Sequence, residues 1–100
     1  MESVKDKMVK RLQNGETIYK YKEGGNSMTP LLKSRQPVDI RPVDRELEVG
    51  DITFAKVKGR YLMHLITAID GERVQISNNH GHVNGWTNKS KVYGLVTASE

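Results

Sequence analysis

A chain of 100 residues, with 16 Lys and Arg against 12 Asp and Glu and a net charge of +4, is one small domain without room for a second core or a large cofactor fold. It has no cysteine, which excludes disulfides and thiolate metal sites and leaves packing to hold the fold. The longest apolar stretches, Tyr61 to Met63 and Leu65 to Ile69 on either side of His64, fall far short of the roughly 20 residues a membrane helix needs.

The start, Met1-Glu2-Ser3-Val4-Lys5-Asp6, lacks the apolar core of a secretory signal, and a cytoplasmic protein is expected. Val4, Met8 and Leu12 recur every four residues with Val9 beside them, predicting a short helix within residues 2–13 that Asn14-Gly15 ends. This helix is expected to dock on the rest, so the chain divides into a helical segment, 1–16, and a β domain, 17–100. Thr17 to Lys22 reads as a strand, which leaves no second helix for a helix-turn-helix. The basic residues Lys5, Lys7, Lys10 and Arg11, then Lys20, Lys22, Lys33, Arg35, Arg41 and Arg45, are interleaved with Glu2, Asp6, Glu16, Glu23, Asp39, Asp44 and Glu46. No stacking aromatic set lies among them, so a solvated mixed surface is expected rather than a nucleic-acid groove.

Gly25-Asn26-Ser27-Met28-Thr29-Pro30 follows the first strand. A serine beside glycine and asparagine is in most chains a turn residue. The same setting suits a nucleophile, because the hydroxyl is accessible, nearby backbone amides can face a reacting carbonyl, and Pro30 fixes φ as the chain leaves the turn.

From Pro37 onward the pattern is β. Strands are expected at Val38 to Arg41, Asp51 to Lys58, Tyr61 to Ile69, Arg73 to Ser77 and Lys91 to Thr97. Lys58-Gly59 and Asp70-Gly71 are hairpin signals that join the three middle strands into an antiparallel meander. The fold class is therefore mainly β with a short N-terminal helix.

Serine needs a neighbouring base, and His64 is the best placed. It stands in the most apolar strand, on the face of Leu62 and Ile66, where burial would keep the imidazole neutral. A half-exposed strand histidine with a structural bond is the plain alternative. Lys56 and Lys58 lie on a strand that ends in a turn, where an amine stays exposed and charged. His80-Gly81-His82 has the spacing of two metal ligands but lacks a convincing third and fourth, so neither metal nor cofactor is expected. Ser77-Asn78-Asn79-His80-Gly81-His82-Val83-Asn84-Gly85-Trp86 is dense in amides and turn formers, and such a loop could orient an imidazole or only satisfy its own turns. Trp86 reads as a packing anchor.

Four boxes together resemble one family. Gly25 to Pro30 resembles the Ser-Met-x-Pro box of type I signal peptidases and the serine box of LexA-like self-cleaving repressors, and Val49-Gly50-Asp51-Ile52 is similar to their Gly-Asp-Ile/Val box. Tyr61-Leu62-Met63-His64 falls where these enzymes carry the general base, lysine in bacterial signal peptidases and LexA and histidine in the endoplasmic-reticulum and archaeal-like ones. Ser77-Asn78-Asn79 is similar to their Gly-Asp-Asn box. The likeness runs from about Ile18 to Val96 and looks closest to small stand-alone signal-peptidase-like proteins of phages and bacteria.

The resemblance implies a LexA/signal-peptidase-type β-rich fold, Ser27 as nucleophile and His64 as general base. It implies backbone amides at Ser27 lining an oxyanion hole, with Met28 shaping the cleft. Ser77 stands where the family has aspartate, so Ser77, Asn78 and Asn79 are the candidates for orienting the histidine. Leu65 replaces the family's polar residue after the base. The expected activity is that of a serine endopeptidase acting on an extended peptide or protein through an acyl-enzyme, away from a membrane. The alternative is a catalytically weak or inactive domain that binds a peptide or protein in a regulatory circuit. The oligomeric state is left open, a homodimer included.

Overall fold

In the computed structural model, which describes residues 1–25 and 27–99, helix α1 (Val4–Gln13) precedes a single seven-stranded antiparallel sheet. Asn26 of the serine box lies outside the described residues. The strands are β1 (Ile18–Tyr21), β2 (Val38–Pro42), β3 (Ile52–Val57), β4 (Arg60–Asp70), β5 (Arg73–Ser77), β6 (Val83–Asn88) and β7 (Val92–Ala98), in the spatial order β1-β2-β7-β3-β4-β5-β6. The mainly β class and the antiparallel meander are as expected, and the meander continues through a fourth strand. That strand, β6, occupies part of the segment expected to be a loop. Val83-Asn84-Gly85-Trp86-Thr87-Asn88 has no apolar alternation; pairing with β5, from Arg73↔Asn88 to Ser77↔Val83, makes it a strand.

Helix α1 begins with a capping box. Ser3 Oγ accepts from the Asp6 backbone N–H, and Asp6 Oδ2 accepts from the Ser3 N–H. The helix ends at Asn14, where Gly15 takes a φ of +84 that suits glycine. Its buried face, Met8, Val9 and Leu12, packs on the sheet.

Buried apolar residues form two clusters, one on each face of the sheet, where length alone suggested a single core. Phe54, Met63, Val38, Ile40 and Val96 join Met8, Val9 and Leu12 on the helix side. Ala55, Val57, Ile66, Val74, Ile76, Val92 and Leu95 join Leu47 on the other. The alternation of Phe54 with Ala55 and Val57 along β3 separates them, since neighbouring strand residues face opposite ways. The sheet also curls. Thr87 Oγ1 on β6 donates to the Lys56 carbonyl on β3, 2.8 Å away, although β4 and β5 lie between these strands in the sheet order. Curling brings the start of β6 close to β4.

Of the family-like boxes, Val49 to Ile52 has a structural explanation. Gly50, at φ +99, donates its N–H to the Ile66 carbonyl, and the Asp51 carboxylate receives two bonds from the Arg45 guanidinium at 3.0 and 2.9 Å. Asp51 also accepts from the Glu48 N–H, and its carboxyl is held below the usual range by the Arg45 hydrogen bond in the first place. Among the described residues, no helix is long and apolar enough to cross a membrane.

Candidate active site

The loop between β1 and β2 carries Ser27 and is anchored at several points. Met28 and Leu32 are buried in the helix-side core, and the Leu32 N–H donates to the Met28 carbonyl, closing one helical turn directly after the serine. The Arg35 N–H donates to the Glu23 carbonyl and the Gly25 N–H to Ser34 Oγ, which draws the two ends of the loop together. From the β5–β6 connection, the Asn79 N–H donates to the Ser27 carbonyl at 2.8 Å and the Asn79 side chain donates to the Thr29 carbonyl at 2.9 Å. The serine is thus fixed by backbone bonds and by apolar packing while remaining half-buried itself.

His64 comes from the middle of β4, paired with Thr53 on β3. Thr53 is fully buried, and its hydroxyl donates to the His64 carbonyl. The side chains of Ser27 and His64, 37 residues apart, meet at 2.9 Å between Oγ and Nε2. On the other side of the ring, Nδ1 lies 2.7 Å from Asn84 Oδ1. An amide oxygen can only accept, so Nδ1 carries the proton and Nε2 is the acceptor for the serine hydroxyl. Burial pushes the His64 pKa below its ordinary 6.5, with His82 adding to the depression and the Asn84 hydrogen bond opposing it. The imidazole is therefore neutral near pH 7, with a free lone pair directed at Ser27.

Asn84 reaches the ring because β6 carries a bulge. Ile76 pairs with Gly85 and Ser77 with Val83, so Asn84 is the extra residue between two consecutive partners on β5. Gly85 beside it has a φ of +142, a conformation that side-chain-bearing residues avoid.

The three candidates for orienting the histidine are placed elsewhere. Ser77 is buried and its Oγ pairs with Thr67 Oγ1 at 2.7 Å. Asn78 Oδ1 accepts from the backbone N–H groups of His80 and His82, and Asn79 ties down the serine loop. Asn84 belongs to the same amide-rich segment, further along. Its only sequence signal was the density of amides, because its aim depends on a strand, a bulge and a curled sheet. Trp86 is half-buried under the Arg73 guanidinium, 5.6 Å from the ring centroid.

An open cleft of about 280 Å3 runs past the pair, lined by Ser27, His64, Met63, Tyr61, Glu23 and Lys5 among others. A smaller hollow of about 40 Å3 adjoins Ser27 between Met28, Leu32, Val38 and Met63. Helix α1 forms part of the cleft wall. Lys5 pairs with Glu23 at 3.2 Å, and Tyr61 donates its hydroxyl to the Asp6 carboxylate. Burial and then that carboxylate push the Tyr61 hydroxyl up to about 12, so it remains a donor.

No family model, no curated protein and no solved structure matches this chain.

Proposed function

We propose that the chain is a serine endopeptidase in which Ser27 attacks a peptide carbonyl and His64 takes and returns the proton. The observation that carries this reading is the 2.9 Å contact of Ser27 Oγ with an imidazole nitrogen that has its lone pair free. A strand histidine in a merely structural role has no need of a half-buried serine from a distant loop, nor of a cleft beside it. The kinship with signal peptidases and LexA-like repressors suggested by the serine and Gly-Asp-Ile boxes is part of the same proposal.

The steps follow from the residues. As Oγ bonds to the carbonyl carbon, the hydroxyl proton passes to Nε2 and the carbonyl oxygen becomes an oxyanion, for which the Ser27 backbone N–H is the proposed donor. The imidazolium gives that proton to the departing amine as the C–N bond breaks, leaving an ester on Ser27. Water then attacks the ester, losing a proton to Nε2, and the same proton returns to Oγ as the carboxylic acid leaves.

The open strand edge supports an extended substrate. Within β4, Leu65 pairs with both β3 and β5 and the residues from Ile66 to Asp70 pair with β5, whereas Arg60 to His64 pair only with β3, among the described residues. A peptide laid along that edge would hydrogen-bond to the β4 backbone and pass Ser27. The test is incubation with a mixed library of extended peptides and mass-spectrometric identification of new ends. Cleavage by the wild type that is absent in Ser27→Ala and His64→Ala is the expected result. Equal cleavage by the Ser27→Ala protein, or no cleavage at all by the wild type, would overturn the proposal.

A further inference from the structure

The residue on the far side of the imidazole is an amide, not a carboxylate, and that difference has chemical content. We propose that Asn84 is the positioning residue of this site, its side-chain oxygen locking His64 as the Nδ1–H tautomer while its lack of charge leaves the histidine a weak base. The inference rests on the reading of Ser27 and His64 as nucleophile and base.

Three independent features converge on it. The Nδ1 to Oδ1 separation is 2.7 Å, the distance of a strong hydrogen bond. The bulge that aims Asn84 leaves it unopposed on β5, and the Gly85 φ of +142 belongs to the same distortion. Ser77, Asn78 and Asn79, the other hydroxyl and amide side chains before it in the segment, are bonded to Thr67, to backbone N–H groups and to the serine loop. Asn84 alone among them reaches the ring.

When Ser27 transfers its proton to Nε2, the ring becomes an imidazolium with a proton on each nitrogen, and the Nδ1 proton stays in place toward Asn84 Oδ1. Asn84 neither gains nor loses a proton. An aspartate there would form an ion pair with the imidazolium and favour the transfer; asparagine supplies orientation without that stabilisation. The other titratable or charged groups around the ring are His82 on the β5–β6 connection, Glu23 before the serine, Lys5 on α1, and Arg60 and Tyr61 on β4. Glu23 has its carboxylate oxygens on Lys5 and Tyr21, so the negative charge nearest the cleft is already engaged.

Two readouts test this together on the full chain. In 15N-detected NMR, neutral wild-type His64 should carry its proton on Nδ1, and Asn84→Ala should lose that single-tautomer pattern. With a fluorophosphonate probe, Asn84→Ala should label Ser27 about 5- to 150-fold more slowly on the pH plateau, the loss expected when a buried N–H loses its partner. Asn84→Asp should restore the plateau and move the midpoint of the pH–rate profile up by about one pH unit or more. A structural role alone would lower melting temperatures and leave midpoint and tautomer unmoved. Wild-type His64 protonated on Nε2, or an Asn84→Asp midpoint equal to the wild type, would overturn the inference. An unlabelled wild type with the Nδ1–H pattern intact would overturn the nucleophile reading while upholding the role of Asn84 in setting the tautomer.

Discussion

Replacing Gly85 by alanine tests whether the β6 bulge holds the site together. The added Cβ would lie 3.1 Å from Lys58 Cε and 3.4 Å from Val57 Cγ1. Lys58 is exposed in the β3–β4 turn and can swing aside, so the steric part is small. The backbone part is not, because φ at Gly85 is +142 and alanine must either bear that conformation or flatten the bulge. Bearing it costs about 1–3 kcal/mol, equivalent to a melting temperature lower by roughly 5–15 °C in a domain of this size. Flattening it withdraws Asn84 from His64 and leaves Nδ1–H unpaired, which costs about 1–3 kcal/mol in the site, or roughly 5- to 150-fold in the rate of Ser27 labelling. Calorimetry and fluorophosphonate kinetics on Gly85→Ala read both quantities. Gly71→Ala is the control: φ there is +57, nothing lies within 4 Å of the added Cβ, and the turn joins the far end of β4 to β5. It should lose stability but label at the wild-type rate. In Gly85→Ala/Asn84→Ala the rate should fall no further than in Asn84→Ala, because both changes remove one interaction. A Gly85→Ala protein that melts and labels like the wild type would mean that the β6 bulge does not hold Asn84 on His64.

Gly94→Ala, on β7 between β2 and β3, should destabilise by about 1–3 kcal/mol through overpacking. Its Cβ would fall 2.5 Å from Ile40 Cγ2 and 3.0 Å from the Arg41 carbonyl oxygen, and an unchanged denaturation midpoint would contradict that packing. Phe54→Ala removes a side chain 1% exposed and stacked on Tyr61 with ring centroids 5.4 Å apart. A loss of about 3–5 kcal/mol is expected in urea unfolding, and a loss below about 1 kcal/mol would mean the ring is not buried as described. His64 also couples stability to acid. Its folded pKa lies below the unfolded value near 6.5, so the unfolded chain binds the proton more readily; the histidine's contribution is complete above that pH and declines as pH falls toward the folded pKa. Between pH 7.5 and 5 the wild type should therefore lose more unfolding free energy than His64→Ala, and equal losses would count against a buried neutral imidazole.

Much of the fold was legible because local signals and the tertiary structure agree. Met8 and Leu12 with Val9 beside them, and the Asn14-Gly15 stop, mark α1, although Val4, which the same spacing puts on the apolar stripe, is exposed; Lys58-Gly59 and Asp70-Gly71 mark the hairpins. Ser27 and His64 were both singled out from the residues, and the fold brings them into hydrogen-bond contact across 37 positions. Strand β6 was not legible, since an asparagine, a glycine and another asparagine break its pattern and only β5 defines it. Asn84 was hidden for the same reason. Neither its distance along the chain nor its neighbours announce that a bulge in a curled sheet will point it at an imidazole. The two-sided core was equally hidden, because which face a strand residue takes depends on pairing register.

The most direct measurement is labelling by a fluorophosphonate probe followed by peptide mapping. One mole of probe per mole of wild-type protein, on Ser27, is expected, with no labelling of Ser27→Ala and strongly slowed labelling of a folded His64→Ala. Probe attached to a residue other than Ser27, or a wild-type rate no faster than that of His64→Ala, would contradict the claim that this histidine activates this serine.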